Sequence, residues 1–141
     1  MVYASFPNES MSTMNAVSNV MEFRKAYPER YASIIRELNI ENRKAVRAIE
    51  AKDMEEFRQH FETGRLLTKR LGTFSGVEIE TAKHSKLIEE TVQNGAFVAK
   101  LPGAGGGDAM VALCLSRENA EKVKKFLKKK ELNVLDVNII D

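Results

Sequence analysis

This 141-residue sequence predicts an α+β fold, in which a helical front half is joined to a sheet covered on one side by helices. Three observations carry that expectation. Up to about residue 71 the apolar side chains recur every third or fourth position, the period of a helix face. From Val77 onward, short continuous apolar runs replace that period and flank a cluster of glycines. At the end of the chain, apolar and polar residues alternate one by one, as a half-buried strand requires.

Taken in order, Ser10 and Ser12 precede Met11, Met14, Val17 and Met21, whose spacing places them on one stripe of a first helix. Pro28 ends it. A second helix starts at about Glu29 and carries Tyr31, Ile34, Ile35, Leu38, Ala45, Val46 and Ile49 on one face. Asp53 with Glu56 three positions later makes a capping-box-like start for a third helix, with Met54, Phe57, Phe61, Leu67 and Leu71 inward and Gly72 and Gly76 as its stop. The segment Val77-Glu78-Ile79 then leads through Thr81 into a fourth helix, which turns Leu87, Ile88 and Val92 inward and ends at Asn94-Gly95. Ala96 to Leu101 reads as a strand, Gly103 to Gly107 as a loop, and Met110 to Leu115 as a buried strand. Ser116 caps a helix bearing Ala120, Val123, Phe126 and Leu127, and a final strand alternates Leu135, Val137 and Ile139 with Asp136 and Asn138. No stretch has linker composition, so residues 1–141 read as one domain, with a helical part over about 10–74 and an α/β part over about 77–141.

Composition narrows the functional classes. Apolar residues at 43% and charged residues at 30% exclude disorder throughout. Twenty-two Lys and Arg against 20 Asp and Glu leave a charge of +2, too even to name a nucleic acid or a membrane as partner, and neither is expected. Cys114 stands alone, which excludes an internal disulfide and a cysteine metal cage. No apolar run approaches the roughly 18 residues of a membrane span, and the start lacks the basic and apolar regions of a secretory signal. The expectation is a cytoplasmic chain. The sequence leaves its oligomeric state open.

Four of the eight glycines fall in Gly103-Ala104-Gly105-Gly106-Gly107, with Lys100 before them and Asp108 after. Glycines can take positive φ and turn successive backbone N–H groups toward one point, where phosphate oxygens approach the main chain closely. A tight turn between two strands is the alternative, although two residues suffice for a hairpin. A P-loop is excluded because no GKS or GKT follows, and a dinucleotide loop because a strand follows instead of a helix. Lys100 reads either as a counter-charge or as an ordinary solvated lysine, and Asp108 as a turn former bonding nearby N–H groups or a group near magnesium. His60 and His84 have no neighbour at metal-ligand spacing and read as surface or helix-end residues, so no metal site is expected. Cys114, within an apolar strand, reads as an inert thiol. The stripe of Met11, Met14 and Met21 reads as core packing, although an interface for an absent domain would look the same. The lysines at 122, 124, 125, 128, 129 and 130 read as a solvated helix face.

Two segments carry a resemblance. Val77-Glu78-Ile79-Glu80-Thr81 is similar to the GVEIETP stretch of the GHMP small-molecule kinases, most like their phosphomevalonate kinase branch. Lys100-Leu101-Pro102-Gly103-Ala104-Gly105-Gly106-Gly107-Asp108 resembles that family's third motif, a lysine followed by GAGGGD and an apolar strand. Ala4-Ser5-Phe6-Pro7 is faintly similar to the family's TGxPAS stretch. Pro102 departs by replacing a common Ser or Thr, and Ala109-Met110 by replacing a common Cys-Gly. The resemblance implies a ferredoxin-like antiparallel sheet backed by helices, with an N-terminal helical segment ahead of it. It also implies ATP-dependent phosphoryl transfer, with Mg2+, to 5-phosphomevalonate in the mevalonate route to isoprenoids. Nothing here matches the family's GLGSSA-like nucleotide loop. The N-terminal ATP-binding domain, which would hold most of the ATP and Mg2+ and the catalytic Asp and Lys, is therefore expected to be missing. On that reading the chain is a truncated product or one half of a split enzyme, inactive by itself, with no catalytic residue of its own and with Lys100 and residues 103–108 binding phosphate. The alternatives are the C-terminal part of another GHMP kinase such as mevalonate kinase, and a non-enzymatic module that binds a phosphometabolite or a protein.

Overall fold

The computed structural model describes residues 1–6, 12–103, 105–107 and 109–136. Its elements run β1 (Val2–Ser5), α1 (Thr13–Ala26), α2 (Pro28–Glu50), α3 (Met54–Ser75), α4 (Ala82–Gln93), β2 (Val98–Lys100), β3 (Ala109–Leu113), α5 (Arg117–Lys129) and β4 (Asn133–Asp136). They group into two units: Met1–Met11 with Glu80–Asp141, which holds the sheet, and Ser12–Ile79, which holds α1 to α3.

In the sheet unit the four strands lie in the order β2-β3-β1-β4, every neighbour antiparallel. Reading β1, α4, β2, β3, α5, β4 along the chain, this is the ferredoxin-like arrangement. The helices α1 to α3 interrupt it after β1 instead of preceding it. Sequence reading missed β1 because four residues are too short to display a period, and because its partners lie near the far end of the chain: Val2 pairs with Ala112 on one side and Asp136 on the other.

One sheet face presents Val2, Ala4, Ala99, Leu101, Met110 and Ala112 to Ile88 of α4 and to Val123 and Leu127 of α5, and these residues form the core of the unit. The period of two sends Tyr3, Lys100, Val111 and Leu135 to the opposite face. This reverses the expected phase of the last strand. Val134, opposite Ala4, packs on the core, whereas Leu135 is 52% exposed. Pairing with β1 sets the register, and that register overrides the strand's own alternation. Val137, Asn138 and Ile139 lie outside the described residues.

The helical unit is built around Phe23, Ile34, Ala48, Phe57 and Leu67. Asp53 caps α3 as expected, accepting the Glu56 N–H at 2.9 Å. Gly76, at φ 68°, supplies the left-handed C-cap. Gly72 does not stop the helix; it lies inside α3, where its carbonyl receives the Val77 N–H at 2.9 Å. The methionine stripe is not core: Met14 is 82% exposed and Met21 44%, and only Ala16 and Phe23 of α1 are buried. Val46 and Ile49 of α2 are likewise exposed. A helical period identifies a face, but only neighbouring elements decide whether that face is covered. Met11 is outside the described residues. Among the described residues no helix is long and apolar enough to cross a membrane.

Candidate phosphate-binding loop

The loop sits between two strands that hold it firmly. Val98 pairs with Leu113 and Lys100 with Val111, while Leu101 and Ala109, at its two ends, are buried. Gly103, Gly105, Gly106 and Gly107 have φ of 60°, 77°, 85° and 99°. All four occupy the left-handed region, where a Cβ is strained, so the glycines are required by the backbone path itself. The Gly105 N–H donates to the Pro102 carbonyl at 3.2 Å, closing a turn over the first half of the loop. That amide is directed into the turn, while no hydrogen bond from the Gly103, Gly106 or Gly107 N–H is found among the described residues. Gly107 is buried, Gly105 and Gly106 are half-buried and Gly103 is exposed. Ala104 and Asp108 lie outside the described residues. Lys100 is exposed on the face of the sheet away from the core, and among the described residues it forms no ion pair.

The start of α4 carries polar groups that residue patterns did not reveal. Thr81 Oγ1 accepts the His84 N–H at 3.2 Å, and His84 Nδ1 accepts the Thr81 N–H at 3.3 Å, a reciprocal capping box with histidine in the place usually held by an acid. His84 is only 3% exposed and packs its ring against Phe6, with 5.3 Å between ring centres. It sits at a helix end as expected, but it is not at the surface. Glu80, 8% exposed, accepts the Ser85 hydroxyl at 2.7 Å. A Thr-x-x-His spacing was the available signal, missed because an imidazole nitrogen is a less familiar cap acceptor than a carboxylate.

The other candidates resolve into structural roles. His60 is partly buried, not superficial; its Nδ1 lies 2.6 Å from Glu41 and its Nε2 3.5 Å from Glu56, tying α3 to α2. No group of three or more His, Cys, Asp or Glu among the described residues could hold a metal ion. Burial raises the Cys114 thiol above its ordinary range, in keeping with an inert group. In α5, Val123 and Leu127 are buried while Lys122 pairs with Glu118 at 2.8 Å and Lys124 with Glu121 at 3.0 Å. Lys130 reaches across to Glu90 of α4 at 2.7 Å, and its hydrogen bond holds that carboxyl below the usual range.

Residues 45–133, from within α2 through the glycine loop to the start of β4, match the family described as GHMP kinases C terminal. The chain belongs to that family. Among curated relatives of this GHMP kinase C-terminal chain, a phosphomevalonate kinase of Saccharolobus solfataricus is 28% identical over 133 residues, covering 94% of this chain and 40% of the relative. A mevalonate kinase of Thermococcus gammatolerans is 29% identical over 118 residues, covering 84% of this chain and 35% of the relative. The chain thus spans about two fifths or less of the proteins it matches. Among solved structures, the Lin0012 protein of Listeria innocua superposes with a TM-score of 0.86 at 25% identity, over 98% of this chain and 39% of that one. The phosphomevalonate kinase of Streptococcus pneumoniae superposes with a TM-score of 0.69 at 21% identity, over 96% and 38% respectively. The mevalonate kinase of L. major, solved with R-mevalonate, gives 0.77 at 20% over 92% and 38%. These last two likenesses establish the α+β fold of the GHMP kinase C-terminal domain.

Proposed function

We propose that this chain is the C-terminal domain of an ATP-dependent kinase acting on 5-phosphomevalonate, and that its glycine loop closes over a phosphate group of the bound reactants. The carrying observation is the run of four left-handed glycines between β2 and β3, in a domain of this family. Backbone N–H groups in such a loop stabilise phosphoryl charge without reorganising as it moves, which is how kinases obtain much of their rate. Lys100 and Asp108 complete the set of loop residues assigned to phosphate binding. ATP and its Mg2+ are assigned mainly to an N-terminal domain that this chain requires for turnover.

Turnover with ATP and 5-phosphomevalonate tests both parts. It is expected only when the complementary N-terminal domain is present, and ordinary kinase rates from the purified chain alone would refute that dependence. Gly106→Val is expected to lower kcat/KM of the joined enzyme at least tenfold while the circular dichroism stays native. Unchanged kinetics in a folded Gly106→Val enzyme would remove the loop from the site. Similar identity to a mevalonate kinase supports a second reading, with mevalonate as acceptor; measuring kcat/KM for both acceptors on the joined enzyme decides between them.

A further inference from the structure

Between α1 and α2 runs a groove of about 770 Å³ whose lining has an unusual balance of charge. Its floor is apolar, formed largely by Met21, Tyr31 and Ile35. Arg24, Lys25, Arg36 and Arg43 stand along it, and among the described residues no carboxylate lines it. The four cations are exposed, and none forms an ion pair among the described residues. Arg24 lies over the Tyr31 ring at 5.6 Å, and Arg43 donates to the Asn39 carbonyl of its own helix.

Some exposed cations elsewhere take carboxylate partners, as Arg58 does with Glu55 and Lys122 with Glu118, while others such as Lys100 take none among the described residues; what sets the groove apart is that four cations share one apolar channel. Four uncompensated cations beside an apolar floor are a recognition surface for an anionic, partly apolar group. Their layout sets its size. From Arg24 and Lys25, next to the start of α2, to Arg43, a rise of about 1.5 Å per residue spreads the charges over roughly 20 Å. A compact phosphate would reach one end only, and a second copy of the same face would set cation against cation. We propose that the α1–α2 groove docks an acidic amphipathic helix of a partner protein, with its apolar residues on Met21, Tyr31 and Ile35 and its carboxylates on the four cations.

A fluorescein-labelled synthetic helix, with Leu at i, i+3, i+4 and i+7 and Glu on both flanks, serves as the probe, read by fluorescence anisotropy against the full chain. Saturable binding is expected, weakened at least tenfold by the paired substitutions R36E and R43E, both on exposed positions, and weakened as salt rises. A Lys-for-Glu version of the peptide should prefer the charge-reversed protein. Circular dichroism of the variant confirms that it is folded, and a single R36Q change, expected to weaken binding by a smaller factor, provides a second route. Absence of saturable binding would overturn the proposal. So would equal binding by a peptide of scrambled Leu order, which indicates a polyanion site, or equally tight displacement by dodecyl phosphate, which indicates a small amphiphile.

Discussion

Two glycines of α3 respond oppositely to the same added methyl group. A Cβ built on Gly72 would sit 2.6 Å from the Val77 carbonyl oxygen and 2.9 Å from Ile79 Cγ1, whereas one on Gly64 meets nothing nearer than Asn42 Oδ1 at 3.8 Å. Alanine in a helix interior is favoured over glycine by about 1 kcal/mol. At Gly64 that gain stands alone, so Gly64→Ala is expected to stabilise the helical unit by up to about 1 kcal/mol. At Gly72 the obstructing atom is backbone, and it belongs to the residue whose N–H bonds the Gly72 carbonyl at 2.9 Å. Relief must therefore displace the turn at Gly76 and Val77. Overpacking of this kind costs about 1–3 kcal/mol, and contact with immobile backbone points to the upper end. After the propensity gain, Gly72→Ala is expected to lose about 2 kcal/mol. Urea unfolding followed by circular dichroism measures both variants under identical conditions. A Gly72→Ala protein as stable as the parent would show that close approach to Val77 does not govern this turn, and a Gly64→Ala protein less stable by more than about 1 kcal/mol would show that helix propensity does not govern position 64.

Other consequences follow from single contacts. Replacing His84 by Ala leaves the Thr81 N–H without its acceptor and removes the ring from Phe6, with an expected cost of about 1–3 kcal/mol in urea melts. For Glu90 the folded pKa is lowered by Lys130, so its stabilising contribution is present above the ordinary glutamate value near 4.3 and is lost as pH falls through the lower folded value. A Lys130→Met protein should accordingly be less stable than the parent near pH 6, with the difference shrinking as pH falls below the ordinary glutamate range; a difference independent of pH would contradict this linkage. Glu118, lowered by Lys122, should behave in the same direction. Because burial raises the Cys114 thiol, iodoacetamide at pH 8 should label it several-fold more slowly in the native protein than in urea, as mass spectrometry over time would show.

Much of the fold was legible where information is local. The Asp53 and Ser116 caps, the break at Pro28 and the glycine C-cap at Gly76 depend on residues a few positions apart, and the structure reproduces each. The glycine run was legible as a backbone that needs positive φ, and four of its residues adopt it. Readings that depend on distant partners fared differently. β1, the phase of Leu135, the burial of His84 and the exposure of Met14 and Met21 are all settled by elements remote in sequence.

What the amino-acid sequence by itself determined was therefore the kind and order of most elements and the place of the loop, because capping, propensity and glycine conformation act within a turn or two of chain. Tertiary structure alone decided that β1 enters the middle of the sheet, that the His84 ring packs against Phe6, and that the cations of α1 and α2 line one groove. Each of these requires groups brought together by packing and pairing, and a periodic pattern records which residues share a face without recording what that face meets.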